Sequence, residues 1–133
     1  MYSRGWKRRD AVLRKPQILC VHMEPSRLMR ISLIAGSLGI AVREVKEDQW
    51  GQRLEALFGL KPCRLSGGKP QIDGEMIVAA FFGGDLLDDL YMNVRKNGMN
   101  MPLTAMLTPA NRSWTCERLY RELRKEASIL NGR

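Results

Sequence analysis

Met76-Ile-Val-Ala-Ala-Phe-Phe82 runs without a charge into Gly83-Gly84-Asp85, then into Leu86-Leu-Asp-Asp-Leu-Tyr-Met-Asn-Val-Arg-Lys96, and stops at Asn97-Gly98. An unbroken apolar run of this length reads as a strand covered on both faces, as parallel strands are. Asp85 stands where a helix N-cap is expected, and Gly98 where the helix should end. The same unit of strand, polar turn and helix recurs at Gln17–Leu38. There Pro25 fits the first helical turn, Leu28, Ile31, Ala35 and Leu38 follow at helical spacing, and Gly39 supplies a left-handed cap. It recurs again at Leu103–Leu130, where strand Leu103–Leu107 passes through Thr108–Thr115 into a helix predicted over Trp114–Leu130. Between the units, Ile40–Val45 reads as an edge strand because it carries Arg43 and Glu44. Trp50–Leu60 reads as a short helix built on Leu54, Leu57 and Phe58. Lys61–Glu75 is a long, glycine- and proline-containing connection of the kind that forms flaps.

The two most apolar strands, Gln17–Met23 and Met76–Phe82, belong at the sheet centre. Right-handed crossovers then predict an α/β fold: a small open parallel sheet of four strands, order 2-1-3-4, with helices on both faces, Rossmann-like or flavodoxin-like. In such a sheet the winding reverses between strands one and three. The expected crevice therefore lies beside His22–Glu24 and Gly83–Asp85.

The chain has 133 residues and a net charge of +8. That length suits one domain, expected over residues 16–133 behind a basic arm, Met1–Lys15. The arm holds Arg4, Lys7, Arg8, Arg9, Arg14 and Lys15 against Asp10, so it accounts for five of the eight charges and leaves three for the rest. Arg4, Lys7, Arg8 and Arg9 are accordingly the candidate nucleic-acid contacts, weak and nonspecific, and the folded part is not expected to read nucleic acid. The apolar, uncharged run Ile31–Val42 holds twelve residues, far short of the roughly 20 needed to cross a bilayer. No membrane partner and no signal segment are expected. Cys20, Cys63 and Cys116 have no metal-ligand spacing and are odd in number, which points to a reducing, cytoplasmic setting. No metal or other cofactor is expected.

Catalytic chemistry is thinly represented. Ser66-Gly67-Gly68-Lys69 lacks the first glycine and the Ser or Thr of a phosphate loop, with Cys63 and Pro70 in those places. Gly83-Gly84 lacks the third glycine of a dinucleotide fingerprint, and no aspartate ends a central strand as a phosphoacceptor would. His22, the single histidine, has no evident nucleophile near it in sequence. What the strand ends do offer is donors. His22, Gly83, Gly84, Asp85, Thr108, Asn111 and Ser113 form the candidate ligand-binding set, fitted to an anionic small molecule at converging helix N-termini. The competing reading is that Asp85, Asn111 and Ser113 only cap their own helices.

The order of Trp50-Gly51-Gln52, the apolar strand at Met76 and Leu103-Thr-Ala-Met-Leu-Thr-Pro-Ala-Asn-Arg-Ser-Trp-Thr115 resembles a small bacterial family of domains of unknown function. The resemblance covers residues 17–130, and Thr108–Thr115 is its most specific part. It implies a short α/β protein without assigned activity, so no catalytic residues carry over. This chain differs in its basic arm, in His22 where an asparagine is usual, and in Ser66–Pro70. The leading functional expectation is a non-enzymatic cytoplasmic binding or regulatory domain. The alternatives are an enzyme acting on an anionic small molecule at the strand edge, and a nucleic-acid-associated factor held by its arm. Strand Leu103–Leu107 carries no charge to deter edge pairing, so a homodimer through that edge is also expected.

Overall fold

The computed structural model describes residues 14–64 and 68–131. The chain forms β1 (Gln17–Val21), α1 (Pro25–Ser37), β2 (Ala41–Val45), a 3-10 turn at Glu47–Gln49 and α2 (Leu54–Leu57). Then follow β3 (Met76–Ala80), α3 (Leu86–Lys96), β4 (Leu103–Met106) and α4 (Cys116–Asn131). The arm residues Arg4, Lys7, Arg8 and Arg9, and Ser66 and Gly67 of the long connection, lie outside the described residues.

The strands form one sheet in the expected order, β2-β1-β3-β4. β1 pairs parallel with β2, and β3 with β4, but β1 and β3 run antiparallel, with Gln17 opposite Ala80 and Val21 opposite Met76. This corrects the all-parallel expectation. The reason lies in the connection after β2. The short helix expected over Trp50–Leu60 is shorter still, a single turn, α2, stopped at Gly59, whose φ is +78°. Four helical residues advance about 6 Å, against about 17 Å for a five-residue strand. The chain therefore enters β3 at the same sheet end by which it left β2.

The two halves, β1-α1-β2 and β3-α3-β4, repeat each other at one constant offset through their first strand and helix. Gln17 matches Met76, Ile31 matches Leu90, Ala35 matches Val94, and Gly39 matches Gly98. The two glycines have φ of +78° and +76°. Because the halves are related by a rotation about the sheet normal, crossovers of one hand place α1 and α3 on the same face. An all-parallel sheet of this order would have put them on opposite faces. Ile18, Cys20, Ile77 and Ala79 point to this face and pack with Ile31, Ala35, Leu90 and Val94. Leu19, Val21, Met76, Val78 and Ala80 point to the other, against Leu54, Leu57, Cys116, Leu119 and Tyr120. Helices thus cover both faces, as expected.

Arg27 in the first turn of α1 fastens the halves together. Its Nε donates to Glu75 Oε2 at 2.6 Å and its Nη2 to Glu75 Oε1 at 2.9 Å and to the Asn100 carbonyl at 3.0 Å. A two-pronged guanidinium–carboxylate bond fixes orientation as well as distance. Arg30 Nη2 donates to the Asn97 carbonyl at 2.6 Å, placing a cation at the negative end of α3.

Leu90 is fully buried whereas Met92, two residues on, is 58% exposed. Leu90→Ala should cost about 2–5 kcal/mol in urea unfolding, and Met92→Ala within about 0.5 kcal/mol. Equal losses would contradict this packing of α3.

Candidate functional site

The antiparallel centre disperses the predicted crevice. His22 follows β1 at one sheet end, whereas Gly83, Gly84 and Asp85 follow β3, and Thr108, Asn111 and Ser113 follow β4, at the other. His22 adopts φ +55° and Phe81, its counterpart after β3, φ +66°. A left-handed conformation costs an ordinary residue about 1–2 kcal/mol. Each is held by a ring: His22 lies 5.5 Å from the Trp50 ring, and Phe81 meets the Phe58 ring edge-on at 6.0 Å. His22 is exposed.

At the other end, Thr108 and Asn111 are used internally. Asn111, only 8% exposed, accepts from Thr108 N–H at 2.8 Å through Oδ1 and donates to the Met106 carbonyl at 3.0 Å through Nδ2. Thr108 Oγ1 accepts from Asn111 N–H at 3.1 Å. These bonds close the turn after β4. Neither Asn111 nor Ser113 caps α4, which begins later than expected. Thr115 does so, its Oγ1 accepting from Arg118 N–H at 3.1 Å. Asp85 occupies the N-cap position of α3, but its backbone (φ −99°, ψ 18°) lies outside the extended region typical of N-caps, and its carboxylate makes no cap bond. Gly83 and Gly84 face open space.

A different concavity is built by residues that the sequence reading assigned to a flap and a short helix. Residues 50–55 run alongside 112–117. Leu54 N–H donates to the Trp114 carbonyl, Glu55 N–H to the Arg112 carbonyl, Cys116 N–H to the Gln52 carbonyl and Glu117 N–H to the Trp50 carbonyl, at 2.9, 2.9, 3.0 and 3.1 Å. The Gln52 side-chain amide then reaches Arg64, accepting from its N–H at 3.0 Å and donating to its carbonyl. This holds 61–64 away from α2 and leaves a cavity of about 390 Å³ lined by Gln52, Arg53, Ala56, Lys61, Arg64 and Thr115, among others. Glu55 also lines it, but its carboxylate is buried and engaged by Arg112 Nε at 3.0 Å. Arg53, Lys61 and Arg64 are exposed and have no described carboxylate within 4.0 Å. The sequence signal was present but faint: three cations spaced through a segment that otherwise carries only Glu55.

A second concavity, about 480 Å³, lies between residues 71–73 and the start of α4. Tyr120 Oη donates to Asp73 Oδ1 at 2.7 Å, and Gln71 N–H donates to Glu117 Oε2 at 2.7 Å. Gly74 is required beside this bond, because a Cβ there would come within 2.6 Å of the Tyr120 hydroxyl. The Tyr120 hydroxyl holds the Asp73 carboxyl below its ordinary range, helped by the charges of Arg124 and His22. Burial, then the same bond, raises the Tyr120 phenol.

Residues 75–129, from just ahead of β3 into α4, match the family model described as Domain of unknown function (DUF3783). The resemblance read from Thr108–Thr115 is met by this match. No curated protein and no solved structure matches the chain.

Two measurements check this geometry. An aspartate with a depressed pKa stabilises the fold above the ordinary carboxylate range, and that contribution is lost as pH falls through the depressed value. The Tm deficit of Tyr120→Phe should therefore shrink as pH is lowered below about 4; a deficit independent of pH would show that ionised Asp73 is not the partner. Burial pushes the Cys20 and Cys116 thiols up to about 12, while Cys63 is exposed. Iodoacetamide at pH 8 should alkylate Cys63 alone in the folded protein, and prompt labelling of Cys116 would contradict the buried start of α4.

Proposed function

We propose that this is a non-enzymatic binding domain whose ligand is anionic and seats between Arg53, Lys61 and Arg64. The observation that carries the reading is a set of three cations, without carboxylate partners among the described residues, around one braced cavity. At 4 Å, each cation attracts a unit negative charge by about 1 kcal/mol in bulk water and about 4 kcal/mol near a protein surface. Glu55 does not oppose this, because Arg112 neutralises it. The volume falls at the lower end of small-ligand pockets, roughly 300–1,000 Å³, enough for a phosphorylated or carboxylated small molecule. Catalysis at the strand ends has less support. Thr108 and Asn111 are bonded to each other there, and His22 stands at the opposite end of the sheet.

Titration with inorganic phosphate and with citrate should shift the backbone amide resonances of 52–56 and 61–64 and slow alkylation of Cys63, which lies between Pro62 and Arg64. Arg53→Gln with Arg64→Gln should weaken binding by at least about tenfold, or 1.4 kcal/mol, with Tm unchanged. Saturating shifts confined to Gly83–Asp85 and Thr108–Ser113 would transfer the site to the strand edge, and no shifts at all would end the anion reading.

A further inference from the structure

The two concavities lie on one surface. The chain passes from Lys61–Arg64 at the first to Gln71–Asp73 at the second, and the first turns of α4 flank both. Thr115 lines the first, and Glu117, Tyr120 and Arg121 line the second. Arg118, in the same first turns of α4, lines neither and has its guanidinium 4.2 Å from the centre of the Trp114 ring. Arg118, Arg121 and Lys125 follow at helical spacing on one face, with Arg124 one step round it.

We propose that this surface is a track for single-stranded nucleic acid, entering at Arg53, Lys61 and Arg64 and leaving past Arg121, Arg124 and Lys125. The proposal rests on the anion reading of the first cavity and names its partner. Length and charge decide the choice. At 1.5 Å rise per residue, Thr115 and Arg124 are about 13 Å apart along α4, too far for one phosphate group to meet both cation clusters. A single strand carries a phosphate on every nucleotide and so reaches both clusters at once, and single-strand sites span about 4–16 nucleotides. Arg118, over the Trp114 ring in the same helix turns, gives a base a cationic, planar partner.

The acids on this surface are largely engaged. Asp73 accepts from Tyr120, Glu117 accepts from Gln71 and lies 3.9 Å from Arg121, and Glu122 lies 3.6 Å from Lys125. Asp85, Asp88 and Asp89, which have no described cation within 4.0 Å, sit at the start of α3 on the other face of the sheet. Arg53, Lys61, Arg64, Arg118, Arg121, Arg124 and Lys125 thus make this surface basic within a domain of small net charge, which draws a polyanion toward it.

Anisotropy of a labelled 12-nucleotide single-stranded RNA, and of the matching DNA, is measured with the full chain across a potassium chloride series. Variants carry Arg124→Gln with Lys125→Gln, Arg53→Gln with Arg64→Gln, Arg118→Ser, or Arg8→Ser with Arg9→Ser. Each cavity pair should reduce the slope of log affinity against log salt by about 1.4 and lower affinity at least about tenfold, with circular dichroism unchanged. Arg118→Ser should weaken the oligonucleotide while sparing inorganic phosphate. If phosphate binds at the first cavity and Arg124→Gln with Lys125→Gln leaves oligonucleotide affinity within twofold, the track is wrong and the small-anion reading stands alone. Loss confined to the arm variant would move the contact to the arm. Equally tight binding of a glutamate peptide of matched charge would assign the surface to an acidic protein and overturn the proposal.

Discussion

Five facing pairs, from Gln17 opposite Ala80 to Val21 opposite Met76, set the direction of everything after β2. Because β3 starts where β1 ends, Glu75 arrives beside the first turn of α1, and Arg27 binds its carboxylate with two hydrogen bonds. The same reversal brings α1 and α3 onto one face, with Arg30 bonded to the carbonyl of Asn97 at the end of α3. The face left for the rest of the chain is covered by the single turn of α2 and by α4. Every residue of β3 is buried between these layers. A reversal at the centre therefore determines which helices are neighbours and which loops share an end.

Function follows the same division. A parallel centre gathers three helix starts above one crevice, but this sheet sends His22 to one end and the turns after β3 and β4 to the other. Asn111 and Thr108 spend their hydrogen-bonding capacity on each other and on Met106, so they shape a turn. Arg53, Lys61 and Arg64, which have no carboxylate within 4.0 Å among the described residues, lie elsewhere, where residues 50–64 meet the start of α4. Backbone hydrogen bonds between residues 50–55 and 112–117 hold that region together, and Gln52 fixes its rim. The resulting surface is rigid where backbone meets backbone and cationic where side chains reach water.

Much of the architecture was legible in residue pattern. The apolar runs at Gln17 and Met76 mark the central strands, Arg43 and Glu44 mark an edge, and Ile31, Ala35, Leu90 and Val94 mark the buried helix stripes. Strand direction was not legible, because an apolar strand buried on both faces looks the same either way. The deciding facts were the shortness of α2 and the Arg27–Glu75 pair, whose partners lie far apart in sequence. The candidate site was less legible still. Asn111 looks like a cap or a ligand donor until its partners are known, and Arg53, Lys61 and Arg64 look like solvated charges until Gln52 draws their segments around one space. Arg121, Arg124 and Lys125 are diluted in sequence by Glu117, Glu122 and Glu126, and only the fold sets them around the second concavity.

Interstrand NOEs between β1 and β3 in the labelled protein test the central claim directly. An antiparallel pair brings facing Cα atoms to about 4.5–5.5 Å and gives strong Hα–Hα contacts at alternate pairs. The account predicts contacts of Met76 with Val21 and of Ala80 with Gln17. Contacts of Met76 with Gln17, in the staggered pattern of a parallel pair, would contradict it.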